Sequence, residues 1–335
     1  MSFKRLDPED FVVSSDSITS TLWSTSTPTL TEFYTSSIQE ASSAGNFYLS
    51  VYQTASTEDT AAVQFDIVYC DSVGSGSEWY NNIVDGNSPS KTMYGQYRSL
   101  ILEDENASFV FGSNTNVITG SYFWALSVER ARYKESLFPG SLNLTLSGSD
   151  GIIQLTDNSN DVLVNTFIGS TRVFQLVSGS NGYGISGGGY VAGSGSYGLV
   201  FPDLGVVLLN PYAISQSIGV DAGRNSDTDD FNNRVLYTAI SGGASFNLNS
   251  QETITSDYIF VRARNSEFNY SENPTFISGS TGEVIYSDFI NHPQTYVTTV
   301  GFYNDSNELL AVAKMSRPLL KDFTKEALVR VKLDF

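Results

Sequence analysis

Short strand-patterned runs, each stopped by a turn signal, constrain this chain more than any other feature. Phe109-Val-Phe111, residues 122–128, Leu142-Asn-Leu-Thr-Leu146 and residues 152–155 are all bounded by Gly, Asn, Asp or Ser. Side chains alternate between the two faces of a strand, so Leu142, Leu144 and Leu146 mark one buried face. Turn signals roughly every eight to twelve residues imply a sandwich or barrel. The last run is the most regular. Ala327, Val329, Val331, Leu333 and Phe335 point one way; Arg330, Lys332 and Asp334 point the other. A pattern of this kind belongs in a sheet, and a tag or truncation there is expected to be poorly tolerated.

Other segments fit the same scheme. Residues 46–54 set Phe47, Leu49 and Val51 against Tyr48 and Tyr52, and residues 63–70 set Phe65 and Ile67 against Val68. Residues 199–210 read as a buried strand or strand pair, and residues 253–263 as a further strand. Residues 296–303 and 308–314 form a hairpin across the four-residue connection Asn304-Asp-Ser-Asn307. Two helices are expected. One starts at Ser88 as N-cap and Pro89 in the first turn, and carries Met93, Tyr94, Tyr97, Leu100 and Ile101. The other is capped by Asp229 or Asp230, carries Phe231, Val235, Leu236 and Ile240, and ends at Gly242. Residues 1–45 are rich in Ser and Thr, yet Phe11, Val12, Val13, Leu22, Trp23, Leu30, Phe33 and Tyr34 make them too apolar for a disordered tail. The expected fold is mainly β: β-sandwich or barrel-like domains with two or three short helices. Its parts are an extended N-terminal arm over 1–45 that orders on a partner, a body domain over 46–245 and a C-terminal β module over 246–335.

The charge pattern limits the partners. Eighteen Lys and Arg stand against 36 Asp and Glu, a net charge of −18 over 335 residues. Such a surface is repelled by nucleic acid and by anionic lipid, and neither is an expected partner. Charged residues are only 16% of the chain, while 21 Phe and 19 Tyr favour sheets and interfaces. The cations are unevenly spread. Lys314, Arg317, Lys321, Lys325, Arg330 and Lys332, with three acids between them, make the last 25 residues net +3 and leave the rest at −21. These six, with Phe11, Trp23 and Phe33, form the candidate interface; the plainer reading of the basic strand is a solvated face. Cys70 stands alone in an apolar strand, so it forms no internal disulfide and reads as an inert core thiol. No apolar stretch follows Met1-Ser-Phe-Lys-Arg5 and no run of 18 apolar residues occurs, so neither a signal peptide nor a membrane span is expected. The chain is expected to be made in a cytoplasm, with the sequons at Asn106, Asn143 and Asn269 unmodified.

Each candidate for chemistry has a structural reading beside it. His292, the sole histidine, precedes Pro293 and reads as a turn residue. Ser186 and Ser196 sit among glycines but in no strand-to-helix Gly-x-Ser-x-Gly elbow. The glycine-rich stretch 177–198 lacks the Gly-Lys-Ser/Thr ending of a phosphate loop, and no basic residue lies between Arg172 and Arg224. It reads as a flexible surface loop or as tight turns where backbones approach closely. Asp227-Thr-Asp-Asp230, near Asn225, misses the register of a calcium loop and reads as helix capping. No pair of carboxylates stands out for glycoside hydrolysis. No catalytic residue, cofactor or metal is expected.

Two segments resemble a known group of proteins. These are Ser256-Asp-Tyr-Ile-Phe-Val-Arg-Ala-Arg-Asn-Ser-Glu-Phe-Asn-Tyr-Ser-Glu-Asn-Pro274 and Tyr296-Val-Thr-Thr-Val-Gly-Phe-Tyr-Asn-Asp-Ser-Asn-Glu-Leu-Leu-Ala-Val-Ala-Lys314, with the closing Leu328-Val-Arg-Val-Lys-Leu-Asp-Phe335. They resemble virion structural proteins of large contractile-tailed bacteriophages of marine bacteria and cyanobacteria, and the hairpin is similar to a β module of tail-fibre and baseplate-associated proteins. The resemblance covers about residues 255–335. It implies a virion protein of the tail, in a baseplate, neck or fibre-attachment position, assembled in the bacterial cytoplasm. Its implied partners are further copies of itself and neighbouring tail or neck subunits. A head decoration or minor capsid protein is the alternative, and a receptor-binding or glycan-degrading tail protein the second.

Overall fold

Residues 63–71 show how the larger part of the molecule is built. The structure, a computed structural model, describes residues 3–35, 48–76, 89–113, 116–185, 189–191, 193–222, 231–271 and 273–334. Phe65, Ile67 and Tyr69 enter one hydrophobic cluster, while Val68 and Cys70 enter a second on the opposite face. Residues 123–128 divide likewise: Trp124, Leu126 and Val128 go to the first cluster, Phe123 and Ala125 to the second. Strands covered on both faces read as continuous apolar runs, as these do.

In chain order the strands are β1 (Phe11–Thr21), β2 (Thr29–Leu30), β3 (Tyr34–Thr35), β4 (Leu49–Tyr52), β5 (Val63–Asp71), β6 (Phe109–Ser113) and β7 (Asn116–Gly120). Then come β8 (Tyr122–Val128), β9 (Ser136–Leu137), β10 (Asn143–Ser147), β11 (Ile152–Asp157), β12 (Thr166–Ile168), β13 (Thr171–Ser180) and β14 (Tyr183–Gly184). Last are β15 (Gly198–Phe201), β16 (Val206–Leu209), β17 (Phe246–Asn247), β18 (Asn249–Ala263), β19 (Thr295–Tyr303), β20 (Leu309–Lys321) and β21 (Ala327–Asp334). Among the described residues there are four α-helices: α1 (Pro89–Leu102), α2 (Pro211–Ile218), α3 (Phe231–Gly243) and α4 (Ser287–Asn291).

The chain forms two compact units: Met1–Ser17 with Thr253–Phe335, and Ile18–Glu252. We call these the C-terminal unit and the body. The body holds a 13-stranded sheet in the order β2-β17-β10-β11-β13-β15-β16-β8-β5-β4-β3, with β12 and β14 also paired to β13. The sheet curls. Phe65 on β5 and Phe246 on β17 are separated in it by β10, β11, β13, β15, β16 and β8, yet their rings pack edge to face at 5.3 Å. Trp23 completes the group at 5.1 Å from Phe246, and its indole N–H donates to the carbonyls of Pro28 and Phe246. Helices α2 and α3 supply Ile214, Leu236 and Ile240 to this cluster, and α1 supplies Tyr94 and Ile101 to the other. The fold is therefore mainly β with a large curled sheet, of the sandwich or barrel-like class.

In the C-terminal unit β18 is flanked by β1 and β21, and β19 and β20 form a separate two-stranded sheet. The division differs from the sequence reading at both ends. The extended arm over 1–45 is not one element: Met1–Ser17 belongs to the C-terminal unit, because β1 pairs with β18. Leu22, Trp23, Leu30 and Phe33 lie in the core of the body. The second boundary falls after Glu252, beyond the expected 245, because β17 pairs with β10 and β2 and places Phe246 in the body's core.

Other expectations resolve locally. Residues 199–210 form the antiparallel pair β15–β16. Helix α3 runs to Gly243 rather than stopping at Gly242, and Ala244 with φ 50° follows it. The glycine-rich stretch is a place of close backbone approach. A Cβ on Gly198 would lie 1.8 Å from the carbonyl oxygen of Leu208 on the neighbouring strand, and Gly179 pairs directly with Gly184. The hairpin connection is five residues, 304–308, not four. Asn304 Oδ1 accepts from the amides of Ser306 at 3.0 Å and Glu308 at 2.8 Å, which holds Glu308 in the turn. Phe47, the proposed cap Ser88, Ser186, Gly187, Gly188, Arg224, Asn225, residues 227–230, Glu272, Phe335 and the Phe231 side chain lie outside the described residues.

Candidate functional site

The C-terminal unit stands out by what it leaves uncovered. The pairing of β18 with β21 sets Ile259 opposite Val331 and Val261 opposite Val329, so the alternation expected for the last strand is present. Yet Ile259, Ala327 and Val331 are the unit's only buried hydrophobic residues among those described. Both large hydrophobic clusters lie within the body. In contrast, among the described residues more than half of the exposed large hydrophobics belong to the C-terminal unit, which is under a third of the chain. Phe11, Val12 and Val13 are exposed on β1, and Tyr296, Leu309, Leu310 and Val312 on the hairpin. Apolar side chains left open in this number make the unit a candidate site of association.

The nine candidate residues separate into three groups. Lys314, Arg317, Lys325, Arg330, Lys332 and Phe11 are exposed on the C-terminal unit. Trp23 and Phe33 are buried in the body, where the chain's own side chains cover them. Lys321 is fully buried: its ammonium donates to the carbonyls of Asn265 and Asp322, both at 3.0 Å, and to Asn269 Oδ1 at 2.8 Å. It locks the 265–269 loop to the end of β20.

The exposed cations differ in their surroundings. Lys332 pairs with Asp334 at 2.8 Å, and that ammonium, with the Ser256 hydroxyl, holds the Asp334 carboxyl below its usual range. Arg330 and Lys332 both lie over the Tyr258 ring, at 5.6 and 5.9 Å. Beside them Arg262 pairs with Glu326 at 2.7 Å, which lowers the glutamate and raises the guanidinium. Lys4 bonds the carbonyl of Arg262 and pairs with Glu267 at 3.0 Å. Among the described residues no carboxylate pairs with Lys314, Arg317 or Arg330.

Sequence reasoning placed Phe11 in the interface but missed the exposed apolar residues of the hairpin. The signal was present in Leu309-Leu310-Ala-Val-Ala313, where no polar residue interrupts the run, so both faces of the hairpin must be apolar. Of the positions weighed for chemistry, those among the described residues have the following surroundings. His292 caps the short helix α4, its amide donating to the Asp288 carbonyl at 2.9 Å. Ser196 bonds Gln175 at 2.7 Å and the Gly198 carbonyl at 2.9 Å. Burial pushes the Cys70 thiol well up. Among the described residues no three His, Cys, Asp or Glu side chains gather where a metal ion would sit, and no helix is long and apolar enough to cross a membrane. A shallow depression of about 530 Å³ in the body is lined by Ser147, Asp221, Arg234 and Thr238 among others, with no histidine or cysteine. No family model, curated protein or solved structure gives a significant match to the chain.

Proposed function

We propose that this chain is a structural subunit of a bacteriophage particle, placed in the tail as a baseplate, neck or fibre-attachment protein, and that it works by packing against other particle proteins. One observation carries the reading. The C-terminal unit buries three hydrophobic residues among those described and exposes Phe11, Val13, Tyr296, Leu310, Val312, Phe323 and Leu328. Apolar side chains left in water gain free energy when a neighbour covers them. The segments resembling contractile-tailed phage proteins, residues 256–274, 296–314 and 328–335, all fall in this unit.

Purified particles provide the test. Quantitative mass spectrometry is expected to find the chain at a small, fixed copy number, protected from protease in the C-terminal unit. A copy number in the hundreds moves it to the head surface, and absence from particles overturns the proposal.

A further inference from the structure

The β19–β20 hairpin is an open element of the C-terminal unit, with about half of its residues exposed. Among the described residues it pairs with no third strand, and no residue from Thr295 to Leu320 is buried. A lone two-stranded ribbon is marginal in water. Here both faces are apolar. Val300 pairs with Ala313 and Phe302 with Ala311 on one face. Val312, opposite Gly301, and Leu310 lie on the other, 56% and 68% exposed.

The charges on this ribbon indicate what it meets. Between Thr295 and Leu320 the ionised groups are Asp305 and Glu308 at the turn and Lys314 and Arg317 toward the base, a net charge of zero in a chain of −18. All four are exposed. Two copies of so acidic a chain repel over most of their surface, and least through a neutral patch. The separation of signs along the ribbon adds an orientation. Two hairpins laid side by side and antiparallel, related by a two-fold axis, set the acidic turn of each against the basic base of the other. A two-fold contact requires such self-complementarity.

We infer that the hairpin is a self-association element, in which β19–β20 of one copy packs antiparallel against β19–β20 of a second copy, Leu310 and Val312 facing inward and Asp305 and Glu308 meeting Lys314 and Arg317. The inference rests on the reading of the C-terminal unit as a docking surface and names its partner as the same chain. A ribbon face of roughly 30 by 10 Å is smaller than the ~800 Å² per partner of a standard interface, so the pair is concentration-dependent in solution.

Charge exchange tests it with the full-length chain. Sedimentation velocity of the wild type, at rising concentration and low salt, is expected to show one chain passing to two. Lys314→Glu with Arg317→Glu leaves both ends of the ribbon acidic, and Asp305→Lys with Glu308→Lys leaves both ends basic. Each double variant alone is expected to lose self-association by about tenfold or more, since like charges then oppose. An equimolar mixture of the two is expected to recover a mixed pair. Leu310→Glu is expected to abolish pairing, with unchanged circular dichroism showing that the fold is kept. A wild type that stays monomeric, or variants that pair as well as the wild type, overturn the inference. A chain found in particles but monomeric in solution overturns this inference alone and leaves the proposed function standing.

Discussion

Lys321 has no exposed surface, and an ammonium removed from water needs acceptors around it. Asn265, Asn269 and Asp322 supply three, which makes the lysine a clamp between the 265–269 loop and the end of β20. Lys321→Ala strands these acceptors and opens a cavity, and is expected to destabilise the C-terminal unit by about 3 kcal/mol. Lys321→Met restores the stem's volume but not the donors, and falls between. The C-terminal unit contains no tryptophan, and Trp23 and Trp124 are buried in the body, so tryptophan fluorescence follows the body. The expected result is faster amide exchange at 265–269 with an unchanged tryptophan unfolding midpoint; an equal shift in the fluorescence transition removes Lys321 from this role. The sequence placed Lys321 among the basic interface residues because spacing does not reveal which lysine turns inward. Its side-chain acceptor, Asn269, is distant in the chain. Trp23 and Phe33 illustrate the same limit. Their apolar character was legible, but the side chains that cover them, Phe65 and Phe246 around Trp23 among them, come from far along the chain.

At the scale of elements, alternation and turn chemistry were strong guides. Strands β5, β8, β10 and β18 lie where the pattern put them, and so does the helix that begins at Pro89. Helix α2 was missed although its signal is local: Asn210 before Pro211 is an N-cap before a first-turn proline, and Gly219 closes the helix at φ 69°. The apolar run of the strand pair ends at Leu209 and the helix begins at Pro211, so no spacer separates the two patterns. Asn210 does more than cap. Its Oδ1 accepts from the Tyr212 amide at 3.2 Å, while its Nδ2 donates to the carbonyls of Ser194 at 2.8 Å and Ser196 at 2.9 Å. It thereby ties the helix start to the end of the glycine-rich stretch. Loss of an N-cap alone costs about 1 kcal/mol, and two buried carbonyls left unpaired raise the total for Asn210→Ala to about 2–3 kcal/mol. Asn210→Asp keeps the cap oxygen but sets a buried carboxylate oxygen against the carbonyls of Ser194 and Ser196, and is expected to be at least as destabilising as Asn210→Ala. Urea unfolding followed by tryptophan fluorescence measures both, and an Asn210→Ala midpoint equal to wild type rules out this role. The hairpin's second strand was legible only to Lys314. Beyond it the register shifts between Val297 and Thr299, and the irregularity accommodates Pro318, which has no amide to give a ladder.

The carboxyl shifts of the two units run in opposite directions. In the body, burial raises the carboxyls of Asp66 and Asp157 above the ordinary aspartate value of 3.8. Each binds its proton more tightly in the folded state than in the unfolded chain, so the body gains stability as pH falls through these raised values toward 3.8. In the C-terminal unit the shifts run the other way. Lys332 lowers Asp334, Arg262 lowers Glu326, and the Arg264 amide together with Lys4 lowers Glu267. These groups stabilise that unit fully above the ordinary values of 3.8 for Asp and 4.5 for Glu, and their contribution is lost as pH falls through the lowered ones. The carboxylates involved are at the surface, so the effect is modest and weakens with salt. Acidification from neutral pH toward about 4 is therefore expected to hold or raise the tryptophan-reported unfolding midpoint of the body. Further acidification is expected to accelerate amide exchange on β18 and β21 before the body gives way, and added salt is expected to narrow the gap between the two. Thermal unfolding followed by fluorescence, with hydrogen exchange mapped by mass spectrometry, resolves the two units. A body that weakens steadily between neutral pH and about 4, in step with the C-terminal unit, contradicts this assignment of raised carboxyls to the body and lowered ones to the C-terminal unit.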